Sequence, residues 1–255
     1  MFLNNLLNIR MIKTNIFLLS LSLFVISCTK KPAGTDSVVG EPQENTADID
    51  SGTKYELDLS SSVITWIGSR PVKQHNGTIG IKEGFLVSKD SSLVAGEILI
   101  DVPSLDIKDL KKDSENYEKL KNHLMSEDFF HADSFPVARF ELITLVPYDS
   151  MIKIVDKEEF PSENSPALLS EFMVKEPTHS VTGNLTIRGI TKSITFPATI
   201  LFRNNKVYAE AKFNIDRTEW NVKYDDESSV IDKAKDKFIY NTVNVGFSLQ
   251  AIREE

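Results

Sequence analysis

Apolar and polar residues alternate strictly along three segments in the second half of the chain. In 194–202, 209–216 and 242–250 every second residue is apolar. A period of two places the apolar side chains of an extended strand on one face. Further strand-forming segments, bounded by turn residues, lie at about 53–59, 62–69, 77–88, 93–102, 137–146 and 180–188. The pattern predicts eight or nine strands, each with one apolar face.

The connections between these strands are short. Asn204 and Asn205 alone separate two alternating segments, and asparagine tolerates the positive φ of a two-residue hairpin turn. One-faced strands with short connections indicate an antiparallel sheet, which must close on itself or pack on a second sheet. We predict an all-β antiparallel barrel of about eight strands, a size that leaves room for side chains or one small ligand.

One segment, 106–125, has its apolar residues at helical spacing. They lie among charged residues at Ile107, Leu110, Tyr117, Leu120 and Leu124. This spacing predicts an inserted helix, which we expect to cover an open end or edge of the sheet. Residues 147–178 carry four prolines and little periodicity, and predict a surface insertion.

The amino terminus has the layout of a secretory signal peptide over residues 1–27. An apolar run of about eleven residues, 16–26, follows Arg10 and Lys13, and it is shorter than the roughly 20 residues that span a bilayer. The sequence Val-Ile-Ser-Cys at 25–28 resembles the bacterial lipobox, in which the cysteine is acylated. The alternative is a short core strand beside a chance cysteine.

Cys28 is the only cysteine, so a disulfide framework and a cysteine metal cluster are excluded. We expect lipid attachment at Cys28, because two or more acyl chains hold a protein stably at a membrane. Residues 28–52 are rich in proline, glycine and polar residues and predict a flexible linker before a domain at 53–255. Lys30, in place of aspartate, favours the outer membrane, facing the periplasm, by analogy with lipoprotein sorting.

The charge of the chain argues against a nucleic-acid partner. The net charge is −8, and it becomes −10 without residues 1–27, which carry two basic and no acidic residues. Nucleic-acid binding depends on basic patches that neutralise phosphates.

No motif for catalysis or metal binding emerges from the sequence. His123 and His131 lie near Asp128 and Asp133, but their spacing does not match a closed zinc site. We expect His123 to cap or hydrogen-bond instead. Neither a nucleophile elbow nor a glycine-rich phosphate loop is present. We therefore expect no metal, no cofactor and no enzymatic activity.

Several segments together resemble the YceI-like family. They are 123–130, 135–140, 182–192 and 215–220, in the family's order, with Trp66 and Gly84 in the strands before them. The resemblance covers about 53–252 and implies a lipocalin-like barrel, periplasmic or secreted, that takes a polyisoprenoid or related amphiphilic chain into an apolar cavity. Asn122 and Asn221 depart from it, since glycine is common at both places, and so does the long insertion.

The resemblance and the alternating rows together imply a cavity for an isoprenoid or fatty-acyl lipid. We expect Ala211 and its apolar neighbours to point inward, because the opposite row, with Glu210, Lys212 and Asn214, is too polar to bury without partners. The expected cavity residues are Trp66, Phe196, Ile200, Phe202, Ala211, Phe213, Ile215, Val245, Phe247 and Leu249. Alternation alone does not separate a hollow barrel from a filled one.

Asp216, Arg217 and Trp220 bring a charge pair and an aromatic ring to the end of an alternating strand. One interpretation is a structural salt bridge and a core tryptophan at a barrel corner. The other is a polar rim of His123, Asp216 and Arg217, where Arg217 binds an anionic or carbonyl headgroup.

Two functions remain open at this point. The first is a membrane-anchored protein that sequesters or carries an amphiphilic lipid in its barrel. The second is a structural or interaction lipoprotein with a filled barrel, which acts through 147–178.

Overall fold

The computed structural model describes residues 34–47, 49–71, 73–149, 173–228 and 238–254. In chain order the elements are β1 Val38–Gly40, β2 Thr53–Leu57, β3 Val63–Arg70, β4 Lys73–Lys89, β5 Ser92–Ile107, α1 Glu115–Met125, β6 Val137–Pro147, β7 His179–Ile187, β8 Ile190–Arg203, β9 Lys206–Asp216 and β10 Thr242–Arg253. Short 3-10 helices lie at Ile49–Ser51 and Arg217–Trp220. Cys28 and most of the insertion, 150–172, lie outside the described residues.

The strands form a closed antiparallel barrel. Consecutive strands from β4 to β10 pair with one another, and both β2 and β3 pair with β4 and β10. β2 lies beside 251–253 of β10 and β3 beside 243–248, so the two short strands occupy one position end to end. The ring therefore has eight positions, which confirms the predicted fold class.

The alternating rows point inward as expected. Ala209, Ala211, Phe213 and Ile215 are all buried in the main core. A smaller core lies under α1, where Tyr117 packs with residues of β4 and β5. The helix thus covers part of the barrel. Among the described residues, no helix has both the length and the apolarity needed to cross a membrane.

The helix is shorter than predicted, and its first half was wrong. β5 continues to Ile107, which pairs with Gly77 of β4. The helix begins only after Ser114, whose hydroxyl accepts a hydrogen bond from the backbone N–H of Tyr117 at 3.3 Å. Ile107 and Leu110 pack in the same small core as the helix. The end of β5 and the loop after it therefore carry apolar residues at the spacing that a helix would also show.

The predicted flexible linker is, over its described part, attached to the barrel. We call residues 34–47 the amino-terminal strap. Within it β1 pairs with 193–195 of β8, while Ser37 N donates to Asn214 O at 2.9 Å and Asn214 N donates to Thr35 O at 2.7 Å. β8 pairs with β9 only over 198–203. The strap therefore occupies the position in the barrel wall where β8 and β9 are no longer paired with each other.

The strap also buries part of the polar, outward-facing row of the barrel. Asn214 and Asn244 lie on the outward faces of β9 and β10, yet they are only 2% and 3% exposed. Asn244 Nδ2 donates to Asn214 Oδ1 at 2.9 Å, and Asn214 Nδ2 donates to Asp36 Oδ1 at 3.2 Å. Burial of these amides is tolerated because they hydrogen-bond to one another and to the strap.

Candidate ligand cavity

The inside of the barrel is filled at one end and hollow at the other. At the filled end the small residues Ala198, Ala211 and Ala251 are fully buried, and Val207 and Leu249 pack with them. At the other end, the end that α1 covers, the barrel encloses a cavity of about 220 Å³.

Four phenylalanines form the inner boundary of the cavity, which we call the aromatic floor: Phe140, Phe196, Phe213 and Phe247. The rings of Phe196 and Phe213 stack with centroids 4.0 Å apart. Phe247 and Phe140 each contact Phe196 with centroids 5.8 Å apart. Below the floor, Phe247 pairs with Ala211 and Ala211 with Ala198, so small side chains lie where the rings need space.

Apolar side chains from almost every strand form the walls. The barrel contributes Ile64, Trp66, Ile98, Ile100, Ile187, Ile215, Val243 and Val245. Leu120 and Leu124 of α1 and the following Phe129 and Phe130 close the covered end. This lining suits the apolar part of a ligand, because such pockets are predominantly hydrophobic with few polar groups.

Trp66 is held in place by the glycine opposite it. Gly77 is its partner across β3 and β4, and a Cβ on Gly77 would lie 2.7 Å from the indole ring and 2.0 Å from the carbonyl oxygen of Asp106. Only glycine lets the ring and the neighbouring strand approach this closely. The indole N–H of Trp66 is buried without a hydrogen-bond partner among the described residues.

The tip of the β3–β4 hairpin contributes most of the titratable side chains in the lining. Arg70, Lys73 and His75 all border the cavity. Arg70 and Lys73 are exposed, whereas the His75 side chain is 21% exposed and contacts the carboxylate of Asp109 through Nδ1 at 2.7 Å. The cavity is therefore apolar at depth and cationic where this hairpin reaches solvent.

The structure places six of the ten expected cavity residues along the cavity: Trp66, Phe196, Phe213, Ile215, Val245 and Phe247. The expectation is corrected for the other four. Ile200, Ala211 and Leu249 are buried in the filled end, and Phe202 is 37% exposed there, with its ring against Tyr55. Alternation identifies the inward face of a strand but not the depth at which the barrel opens.

The expected polar rim is corrected as well. The guanidinium of Arg217 donates to four backbone carbonyls, those of Val222, Tyr224, Ile239 and Tyr240, at 2.6 to 3.1 Å. Burial lowers the pKa of Arg217. Although Arg217 borders the cavity, it has little donor capacity left for a headgroup, and its role is to tie the loops at this end together.

The neighbours of Arg217 are also structural. Asp216 accepts hydrogen bonds from the backbone N–H and the hydroxyl of Thr218, at 2.9 and 2.6 Å, and so caps the 3-10 helix. Trp220 is fully buried and donates from Nε1 to the carbonyl of Leu185 at 3.0 Å. The core tryptophan of the structural interpretation is present, whereas Asp216 serves as a cap.

His123 lies at the end of α1, outside the cavity lining. Its ring meets those of Phe129 and Tyr224 edge-on, at 5.0 and 4.5 Å, and its Nε2 is 3.1 Å from Asp128 Oδ2. This is the hydrogen-bonding role expected for it. Within the described parts of the chain, no group of three or more possible metal ligands is found.

Sequence reasoning missed the cationic hairpin and the α1 side of the cavity. A signal for the hairpin was available, since only positions 71 and 72 separate Arg70 from Lys73, which pair across the two strands. Phe129 and Phe130 lie in an irregular turn after the helix, where no periodicity shows which way a side chain points.

Comparison with known proteins extends these observations. A model of the YceI-like domain family matches residues 55–251. BcnA of Burkholderia cenocepacia superposes with a TM-score of 0.51 at 17% identity, over 76% of this chain and 98% of BcnA. A polyisoprenoid binding domain from Saccharophagus degradans, implicated in plant cell wall breakdown, has a TM-score of 0.51 at 13% identity, over 78% and 98%. These two likenesses establish the fold. A comparison with curated proteins gives no significant match.

Proposed function

The chain belongs to the YceI-like domain family, and from this premise we propose that it is a binding protein for an amphiphilic lipid, a polyisoprenoid or a fatty-acyl chain. The observation that carries the proposal is the apolar cavity above the aromatic floor. Transfer of an apolar chain from water into such a cavity contributes roughly 25 cal/mol for each Å² of apolar surface removed from water. The description of the Saccharophagus degradans domain as polyisoprenoid binding supports the same ligand class.

The size of the cavity limits how much of the lipid it can enclose. A protein cavity of about 150 Å³ is known to hold benzene, with six carbons. By proportion, 220 Å³ holds roughly nine carbons, about two isoprene units. A longer chain must extend past the cationic hairpin into solvent or separate the packed residues of the filled end.

We also propose that an acylated Cys28 anchors the protein at the outer membrane, facing the periplasm. The attached strap gives this proposal a geometric consequence. Cys28 lies six residues before Gly34, and six residues span at most roughly 21 Å. The barrel would then stay close to the membrane surface, which shortens the path of a lipid between the bilayer and the cavity.

The proposed ligand class is tested by native mass spectrometry of the purified full chain, with organic extraction of any bound molecule. We expect a co-purified lipid, and after its removal we expect uptake of one isoprenoid or fatty-acyl probe per chain. A folded chain that is always empty and takes up neither kind of probe would contradict the proposal.

The anchor is tested separately, by Cys28→Ala. We expect this variant to be unprocessed or released, with a barrel that still folds and takes up lipid. A variant that loses its signal peptide and still remains with the membrane after a high-salt wash would show that Cys28 is not the anchor.

A further inference from the structure

The inner face of the β3–β4 hairpin changes character from the aromatic floor towards the hairpin tip. Trp66 pairs with Gly77, Gly68 with His75, and Arg70 with Lys73. Directly paired residues of antiparallel strands project from the same face. Successive pairs on the cavity side are therefore aromatic, then imidazole, then two cations.

The two cations at the tip have no ion-pair partner in the part of the chain that the structure describes. Among the described residues, neither Arg70 nor Lys73 takes part in an ion pair, and the carboxylate of Asp109 is bound to His75 Nδ1 at 2.7 Å and to the backbone N–H of Asn76 at 2.9 Å. Like charges directly opposite each other destabilise a sheet. The fold thus keeps an unfavourable Arg70–Lys73 pair beside an apolar cavity, in a chain whose net charge is −8.

We propose that the lipid bound by this protein has an anionic headgroup, a carboxylate or a phosphate, which Arg70, Lys73 and His75 bind at the hairpin tip. This inference rests on the proposed lipid-binding function and specifies the chemistry of the ligand. Arginine presents a planar fork that matches carboxylate and phosphate oxygens, and lysine adds a mobile point charge. The apolar chain then lies on the aromatic floor while its head stays at the solvent boundary.

His75 makes this binding depend on pH. Burial lowers the pKa of His75, the hydrogen bond that His75 donates to Asp109 opposes that shift, and the charges of Lys73 and Arg70 lower the pKa further. In the free site the imidazole therefore loses its proton at a lower pH than an ordinary histidine does. A bound anion favours the protonated ring and raises its pKa, so anion binding becomes tighter as the pH falls through the pKa of the liganded state.

The experiment uses the purified full chain, stripped of lipid, and three probes whose apolar chains have nine or ten carbons: decanoate, decyl phosphate and decan-1-ol. The double variant Arg70→Gln/Lys73→Gln removes the cations at the tip. Its matched control is Arg203→Gln/Lys206→Gln, because Arg203 and Lys206 are paired in the same way at the tip of the β8–β9 hairpin, which lies at the filled end.

We expect the tip variant to bind decanoate and decyl phosphate about tenfold more weakly and decan-1-ol as tightly as the unmodified chain does. The control variant should bind all three probes normally. Raising the salt concentration should weaken binding of the two anions by the unmodified chain, which provides a test that needs no variant. The better-bound anion identifies the headgroup as carboxylate or phosphate.

The outcomes separate this inference from the proposed function. If the tip variant binds all three probes normally, or weakens decan-1-ol as much as the anions, the headgroup site is overturned and lipid binding stands. If the unmodified chain takes up none of the probes, the lipid-binding function itself is overturned.

Discussion

The filled and the hollow ends of this barrel are built from the same strands and the same alternation, yet only one of them has a cavity. At the filled end β8 and β9 pair directly over 198–203, and the ring has eight positions, including β2. At the hollow end the strap enters between β8 and β9, and β3 takes the place of β2. Counting the strap, nine of the described segments therefore form the barrel wall at this end.

This difference explains where the cavity lies. The width of a barrel grows with the number of strands, and at eight strands side chains can fill the interior. We expect an added segment in the wall to widen the ring at the level of Ile194, Phe213 and Ile215, which border the cavity. We therefore infer that the strap contributes to the hollow end of the barrel, and the following variants test this.

Removal of the strap should have the largest effect. A chain that begins at residue 48 loses the backbone pairs of β1 and leaves Asn214 and Asn244 without their cover. We expect the free energy of unfolding to fall by about 3 to 5 kcal/mol, together with loss of lipid uptake, measured by denaturant unfolding and native mass spectrometry. A chain that begins at residue 34 is the control. Equal stability of the two chains would contradict the role of the strap.

Filling the two ends with the same large side chain should give opposite results. Ala211→Trp places an indole in the filled end, and over-packing should cost about 1 to 3 kcal/mol or more. Val245→Trp places it in the cavity, where we expect a smaller loss of stability and blocked lipid uptake. Calorimetry of the lipid-free variants and an uptake assay measure both. A stable Ala211→Trp variant with blocked uptake would show that the cavity extends below the aromatic floor.

Gly77→Ala tests the close approach that places Trp66 in the cavity wall. The added methyl group would meet the indole ring and the carbonyl oxygen of Asp106, and we expect a loss of about 2 kcal/mol in the free energy of unfolding. Gly40→Ala in the strap is the matched control, because a Cβ there has no atom within 4 Å. Similar unfolding curves for the two variants would mean that the strands separate easily at Gly77.

The smallest expected effect concerns the tether between α1 and β5. Hydrogen bonds from Lys108 and then from the Tyr117 hydroxyl, at 2.6 Å, lower the pKa of Asp106 to about 2, and the same contact with Asp106 raises the pKa of Tyr117 to about 12. A carboxyl group with a lowered pKa in the folded state stabilises it above the unfolded pKa of about 4. That stability is lost as the pH falls from about 4 to 2.

We expect Tyr117→Phe to reduce the free energy of unfolding at pH 7 by about 1 kcal/mol, because the partly exposed carboxylate is screened by solvent. The deficit should shrink as the pH falls from about 4 to 2. Lys108→Gln, which leaves the Tyr117 contact in place, separates the two causes. A deficit that is the same at every pH would mean that Tyr117 stabilises the protein through packing alone.

Local patterns predicted most of the fold. Each of the nine predicted strands is present. In three of them, alternation over eight or more residues also identified the inward face without knowledge of its partners. Asn204 and Asn205 adopt φ values of 50° and 61°, as the hairpin prediction requires. Asn221 also has a positive φ, 57°, at the end of its 3-10 helix, so asparagine supplies there the conformation for which the family commonly uses glycine.

The candidate site was predicted only in part. Phe213 and Ala211 are two residues apart on one inward row, but one borders the cavity and the other lies in the filled end. Arg217 borders the cavity as well, but its donors are used by carbonyls of two loops. The period of a strand cannot distinguish these cases, since they depend on which residues arrive from other parts of the chain.

The sequence by itself therefore determined the barrel, its inward rows and its family, since these follow from local periodicity and motif order. Only the tertiary structure decided where the barrel is hollow and where it is charged. Asn214 meets Asp36 across 178 positions of chain, and this contact joins the strap to the wall at the hollow end. The register of the β3–β4 hairpin places Arg70 and His75 on its inner face, and the rest of the barrel encloses that face. Both residues thereby become part of the cavity lining. Such long-range contacts leave no periodic trace in a sequence, because each partner satisfies its local pattern equally well without the other.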